Sequence, residues 1–328
     1  MVSLGMKNKI AFVTIYFGDM PKFMNLFLDS AKNNPDFDFY FFSDWCSLPI
    51  EADNINHQRL TFKVFNELAF RKKIIKNKIN NAYKLCDLKP AWLDILSGLI
   101  NFEQYEYLGY LDIDLILGNL NKFISLDKIK PYDIWTISPD FISGVLTLFK
   151  NRPELITLYK KSPSWEIIFN SPQHFAFDEK LRILSCDSLD DSIKLESFSD
   201  LIKKEEESGL KVYHSALISY NRDNEKITYK DRQLRDKYGK EEILYHFVYV
   251  KYLWFWYFPN WKTLPNYFKL NKYGLNRYFF PLNIFTSFLH PPFCFHILKK
   301  IYLKRKNIIT HMKNLNFKYI FTIFKNSF

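Results

Sequence analysis

The sequence predicts an α/β fold on a mostly parallel sheet, and three observations predict it. Two apolar runs near the start, at 10–17 and 36–43, are separated by a short amphipathic stretch from Leu26 to Ala31. Strand, helix, strand is the order that a parallel strand pair requires. A third run, from Tyr105 to Gly118, is apolar and strand-like except for Asp112 and Asp114. The 328 residues are 48% hydrophobic and 25% charged, enough to bury a sizeable core in one or two domains and too apolar for a disordered or collagen-like chain.

The first strand is stopped by Gly18, Asp19 and Pro21, and the nine residues before it, Met1 to Lys9, are too short and too charged for a signal peptide. The second strand is aromatic and closes on Ser43-Asp44. Helices are expected over 64–80 and 89–102, a further buried strand over 144–150, and a helix over 154–161 after Asn151-Arg152-Pro153. Residues 170–240 are more polar and carry no repeat. With only 9 glycines the chain has no dinucleotide-binding fingerprint. Cys46, Cys86, Cys186 and Cys294 stand far apart without a C-x-x-C pair, which points to ordinary buried thiols in a reducing compartment rather than to zinc or disulfides.

Charge is distributed unevenly. The net charge is +11, yet the last acidic residue is Glu242; the 86 residues from Ile243 to Phe328 hold 13 Lys or Arg, no Asp or Glu, and 26 of the 61 aromatic residues. The expected organisation is therefore a near-neutral body, 1–242, and a basic, aromatic C-terminal region, 243–328. Phe279–Leu298 lacks charge for twenty residues, but Pro281, Pro291 and Pro292 interrupt it, which disfavours a spanning helix. From Ile297 to Phe324 apolar residues recur near helical spacing among lysines and Arg305. Such a helix suits an anionic membrane surface, each basic residue contributing about 1 kcal/mol there; packing on the body is the alternative. No nucleic-acid module is recognisable, and none is expected as a partner.

Asp112 and Asp114 carry the most chemistry. Alternate positions at a strand end point to one side, and two carboxylates there repel unless a cation lies between them. Oxygen ligands favour Mg²⁺ or Mn²⁺. The carboxyl edge of the first strand, with Thr14, Tyr16 and Phe17, is where open α/β sheets bind ligands, although Phe17 suits core packing equally. Asp178-Glu179, after the aromatic run from His174, offers a general base for an acceptor hydroxyl, or simply an acidic helix start.

The stretches Tyr83-Lys84-Leu85-Cys86-Asp87-Leu88-Lys89-Pro90-Ala91-Trp92, Tyr107-Leu108-Gly109-Tyr110-Leu111-Asp112-Ile113-Asp114 and Leu117-Gly118-Asn119-Leu120 resemble the core of GT-A glycosyltransferases. The likeness extends to Tyr16-Phe17-Gly18-Asp19-Met20-Pro21, Phe42-Ser43-Asp44 and Ser143-Gly144 through Asn151, covers roughly residues 8–180, and is similar to a bacterial family of surface-polysaccharide synthesis. Leu108 and Leu111 stand where such families often carry Trp and Cys. The resemblance implies a GT-A-like, Rossmann-type mixed and mostly parallel sheet flanked by helices, with a C-terminal basic, aromatic, membrane-associating region. It implies Asp114 as principal metal ligand and Asp112 reaching the donor ribose or the metal through water. Asp87 would contact the nucleoside, Lys89 or Lys84 the diphosphate, and Asp44 and Gly144 the donor. His246, with Lys251 five residues on, would complete the metal shell unless it is a core histidine; His214 is a weaker substitute.

These readings lead to a metal-dependent, hexosyltransferase-like enzyme. It would move a sugar from a nucleotide-sugar donor to a glycan or lipid-linked acceptor in capsule, lipopolysaccharide or related synthesis, at the cytoplasmic face of a bacterial membrane. A non-catalytic membrane scaffold on the same fold is the alternative from another class. A sugar nucleotidyltransferase is the enzymatic one, although residues 18–21 are not its Gly-rich basic loop.

Overall fold

The computed structural model describes residues 9–181, 195–217, 226–248, 250–252, 256–271 and 274–277. Its main sheet has seven strands: β1 (Ile10–Tyr16), β2 (Asp38–Ser43), β3 (Ile55–Arg59), β4 (Tyr107–Leu111), β6 (Ile134–Thr136), β7 (Leu146–Lys150) and β8 (Val212–His214), in the order β3-β2-β1-β4-β7-β6-β8. The first four in that order run parallel to one another, β7 runs antiparallel to both neighbours, and β8 is parallel to β6. The expected mixed, largely parallel sheet is present. A second, antiparallel sheet orders β11 (Glu241–Glu242), β10 (Gln233–Arg235), β9 (Ile227–Lys230), β13 (Tyr267–Asn271) and β14 (Gly274–Asn276). Short β5 (Leu115–Leu117) pairs antiparallel with β12 (Leu244–His246).

Side-chain alternation along the strands builds two cores, one on each face of the main sheet. On β1, Ile10 and Phe12 face one core with Phe39 and Phe41 of β2, while Ala11, Val13 and Ile15 face the other with Phe42. Helix α1 (Met24–Lys32) lies in the first core through Met24, Phe27 and Leu28; α2 (Phe62–Arg71) and α3 (Trp92–Leu96) lie in the second through Phe65 and Trp92. Gly109 on β4 is where β7 comes closest: a Cβ there would stand 2.1 Å from the Thr147 carbonyl oxygen.

Three helices are shorter than expected. The one predicted over 64–80 stops at Arg71, because Lys73 takes a left-handed φ of 57° that a helix does not pass through. The one over 89–102 becomes a 3₁₀ turn, Lys89–Ala91, followed by α3; the one over 154–161 splits into Pro153–Ile156 and a 3₁₀ turn, Leu158–Lys161.

The chain crosses Glu242 without leaving the body. β12 pairs with β5, β13 pairs with β9, and Trp256, Leu264, Phe268, Leu270 and Leu275 join the core of Phe12. Residues 278–328, which carry the expected amphipathic helix and apolar run, lie outside the described residues, as do Cys186 and Cys294. Among the described residues no helix is long and apolar enough to cross a membrane. Cys46 is exposed, against the expectation of a buried thiol, whereas burial pushes the Cys86 thiol up to about 12.

Candidate functional site

The site forms where strand order reverses, at the carboxyl ends of β1 and β4, the position at which open α/β sheets bind ligands. The Thr14 hydroxyl donates to the Leu111 carbonyl at 2.8 Å and ties those two ends together. Beyond Leu111 the chain turns through Asp112, Ile113 and Asp114, so the two acids sit in the turn between β4 and β5 rather than on a strand. Buried Ile113 anchors the turn in the core. The Asp112 N–H donates to the Val145 carbonyl at 2.9 Å and the Phe247 N–H donates to the Asp114 carbonyl at 2.8 Å.

Pairing of β5 with β12 brings His246 opposite Leu115, next to Asp114. Asp114 Oδ2 lies 3.2 Å from His246 Nε2 and 2.7 Å from Lys251 Nζ. Burial alone would raise the Asp114 carboxyl, but His246 and Lys251 outweigh it and hold the group well below the usual carboxylate range. One potential ligand atom from each of Asp112, Asp114 and His246 lies within 4.8 Å of the others. His246 Nδ1 is buried and has no hydrogen-bond partner among the described residues.

Lys89 joins this triad to a second pair of acids. Its Nζ is 2.7 Å from Asp112 Oδ1, 2.8 Å from the Gly144 carbonyl and 3.5 Å from Asp178 Oδ2. Burial would discharge it, yet Asp112 and Asp178 keep it an ammonium ion. The Asp178 carboxyl is driven up to about 8 by burial, against the opposing effect of Lys89 and with the help of Glu179, Asp87 and Asp112. The Gly144 N–H donates to Glu179 Oε1 at 3.0 Å, and no side chain fits at that position: a Cβ would lie 2.2 Å from Asp178 Oδ2 and 3.0 Å from Lys89 Nζ.

Asp87 shapes the loop that delivers Asp178 and Glu179. It is fully buried and accepts from Lys84 Nζ at 2.7 Å, from the Phe175 N–H at 3.0 Å and from the Phe177 N–H at 2.9 Å. Ala176 between them adopts a left-handed φ of 57°, a conformation a non-glycine residue holds only when its neighbours fix it. Lys84 also donates to the Gln173 carbonyl at 2.5 Å and lies over the Phe175 ring. Burial lowers its pKa and Asp87 partly restores it.

The expected donor contacts divide accordingly. Asp87 and Lys84 satisfy each other and the 173–177 backbone, so neither presents a free group to a nucleoside or diphosphate; Lys89 is enclosed by its three partners. Phe17 packs on Phe62 and Phe65, at ring distances of 5.3 and 6.0 Å, and belongs to the core. Tyr16 and Asp44 remain at the rim: Tyr16 meets the Trp45 ring at 5.5 Å, the Trp45 indole donates to the Gly18 carbonyl at 2.6 Å, and Asp44 accepts from the Gly18 N–H at 3.3 Å. His214 is on β8, separated from β4 by β7 and β6, 3.5 Å from Glu206, so it is no substitute for His246. The spacing of Lys251 from His246 was visible, whereas nothing distinguished Trp45 among so many aromatic residues.

A search of curated proteins finds no match. Among solved structures the chain is similar to mouse xyloside xylosyltransferase 1 in its apo form, with 12% identity, a TM-score of 0.32, and 49% of this chain and 72% of that one covered. It is also similar to galactosyltransferase LgtC in complex with donor and acceptor sugar analogues, with 12% identity, a TM-score of 0.29, and 47% and 63% covered. TM-scores this low leave the chemistry to rest on this chain's own side chains. A family model matches residues 12–257, from β1 through the Asp112, Asp114 and His246 triad, and the chain belongs to that family, DUF6625, a family of unknown function.

Proposed function

We propose that this protein is a metal-dependent glycosyltransferase. One observation carries the reading: Asp112, Asp114 and His246 converge to within 4.8 Å at the carboxyl edge of the parallel strands, with His246 Nε2 3.2 Å from Asp114 Oδ2. An imidazole nitrogen beside two carboxylates is a donor set that fits a divalent ion of the Mn²⁺ or Mg²⁺ kind. Asp87, His174 and Asp178 also cluster within 4.8 Å. Asp87, however, already accepts three N–H groups and burial drives the Asp178 carboxyl up, so the first triad is the better metal site.

A bound cation would offset the negative charge of a nucleoside diphosphate as it leaves. The chain's own residues do the rest. Tyr16 and Asp44 at the rim are positioned for the nucleoside end of the donor, and Lys89 holds Asp112 and Asp178 in fixed relation. The acceptor hydroxyl oxygen forms the new bond to the anomeric carbon while the bond from that carbon to the diphosphate oxygen breaks. The hydroxyl proton goes to the Asp178–Glu179 pair, Asp178 accepting it in its ionised form. The acceptor is a glycan or lipid-linked glycan of bacterial cell-surface polysaccharide synthesis. The basic, aromatic residues from 278 onward hold the enzyme at the anionic cytoplasmic face of the membrane, where such an acceptor is confined.

Turnover of a panel of nucleotide sugars with Mn²⁺ tests this. Asp114→Ala should lower turnover about 100-fold or more while the fold survives; near-normal turnover by that variant would show the reading to be wrong.

A further inference from the structure

Lys251 occupies the place where a metal would bind. Its Nζ lies 2.7 Å from Asp114 Oδ2, the oxygen that also faces His246 Nε2 at 3.2 Å. A divalent ion bound to this carboxylate at about 2.0–2.6 Å and an ammonium hydrogen-bonded to the same oxygen repel strongly at that separation. Counting the acids of the triad and the lysines touching them, Asp112 and Asp114 are balanced by Lys89 and Lys251. Adding a divalent ion without losing a lysine leaves a partly buried excess of two positive charges.

The two lysines differ in their freedom to leave. Lys89 is 5% exposed and held by two acids and a carbonyl; Lys251 is 23% exposed, with Asp114 the acid it contacts, and lies beside the Tyr252 ring, itself 77% exposed. Resting on the metal site proposed above, we infer that Lys251 is a built-in counter-cation and that a divalent ion loads by displacing it from Asp114. Lys251 is then a specificity-determining residue. A monovalent ion exchanging with it gains no charge, whereas a divalent ion gains one, so the lysine weakens the site for every ion and rejects those of low charge.

Binding of Mn²⁺ alone to the full chain, followed by the electron paramagnetic resonance signal of the free ion, separates the possibilities. Lys251→Gln should bind Mn²⁺ about tenfold more tightly than the wild type, the size expected for removing one competing charged hydrogen bond, and K⁺ should compete more effectively in that variant. Lys251→Arg keeps the charge and should stay close to wild type. Lys251→Ala gives the same reading as Lys251→Gln, and circular dichroism establishes which of the two retains the fold. Unchanged or weaker Mn²⁺ binding in the folded neutral variant, with binding lost in Asp114→Asn, overturns the exchange and leaves the metal site standing. Wild-type Mn²⁺ binding in Asp114→Asn overturns the metal site and the exchange together.

Discussion

Asp178 is the residue whose environment departs furthest from that of a free side chain while its chemistry stays usable. Its carboxyl titrates near 8 in the folded chain and near 3.9 when unfolded. The stability gained by burying it neutral is complete below about pH 4 and is lost as the pH rises through 8, with a slope of up to about 1.4 kcal/mol per pH unit. Denaturant unfolding from pH 4 to 9 should therefore give a wild-type stability that falls faster with pH than that of Asp178→Asn. Sugar transfer should run the other way, kcat/KM rising with pH to a plateau above about 8 and flattening in the variant. Of this chemistry, the sequence made Asp112 and Asp114 legible, because two acids interrupt an apolar run. Asp178 was legible as an acid, but its raised titration was not: that depends on burial and on Asp87 and Asp112, which the fold brings near from far earlier in the chain. Phe17 was ambiguous for a related reason, since a ring at a strand end can face the cleft or the core, and only the placement of Phe62 and Phe65 decides.

At the scale of elements, the site depends on two long-range attachments. The first is the loop 173–179, pinned to the 3₁₀ turn Ala82–Cys86 and its cap by Asp87. Asp87→Ala leaves Lys84 a buried ammonium without its acid and removes the acceptor of two backbone N–H groups, which should cost about 3–5 kcal/mol. Lys84→Met keeps both backbone N–H bonds to Asp87 and should cost less; equal losses in chemical denaturation would show that those backbone bonds do not order this loop. The second attachment is β12 against β5, which carries His246 across more than a hundred residues of chain to Asp114. Strands as short as these carry little periodicity, so neither pairing was readable from local sequence. The longer runs, β1, β2, β4 and β7, were readable because their apolar stretches are bounded by Gly, Pro or acidic residues.

For the whole molecule, composition divided the chain at Glu242 and packing does not. Charge changes sign there because acidic residues end, yet β12, β13 and β14 continue into the body. The described residues end at Arg277, so the truncation that tests the proposed membrane role without cutting these strands is after Arg277. In flotation with vesicles containing anionic lipid, the full chain should rise with the vesicles and residues 1–277 should not; equal partitioning would remove the membrane role. The central claim concerns the triad, and it is tested most directly by crystals soaked with Mn²⁺ and uridine diphosphate and measured at the manganese absorption edge. The expected result is an anomalous peak among Asp112, Asp114 and His246, with Lys251 moved off Asp114; a peak elsewhere, or density in which Lys251 still holds Asp114 and no ion lies between the acids, would contradict it.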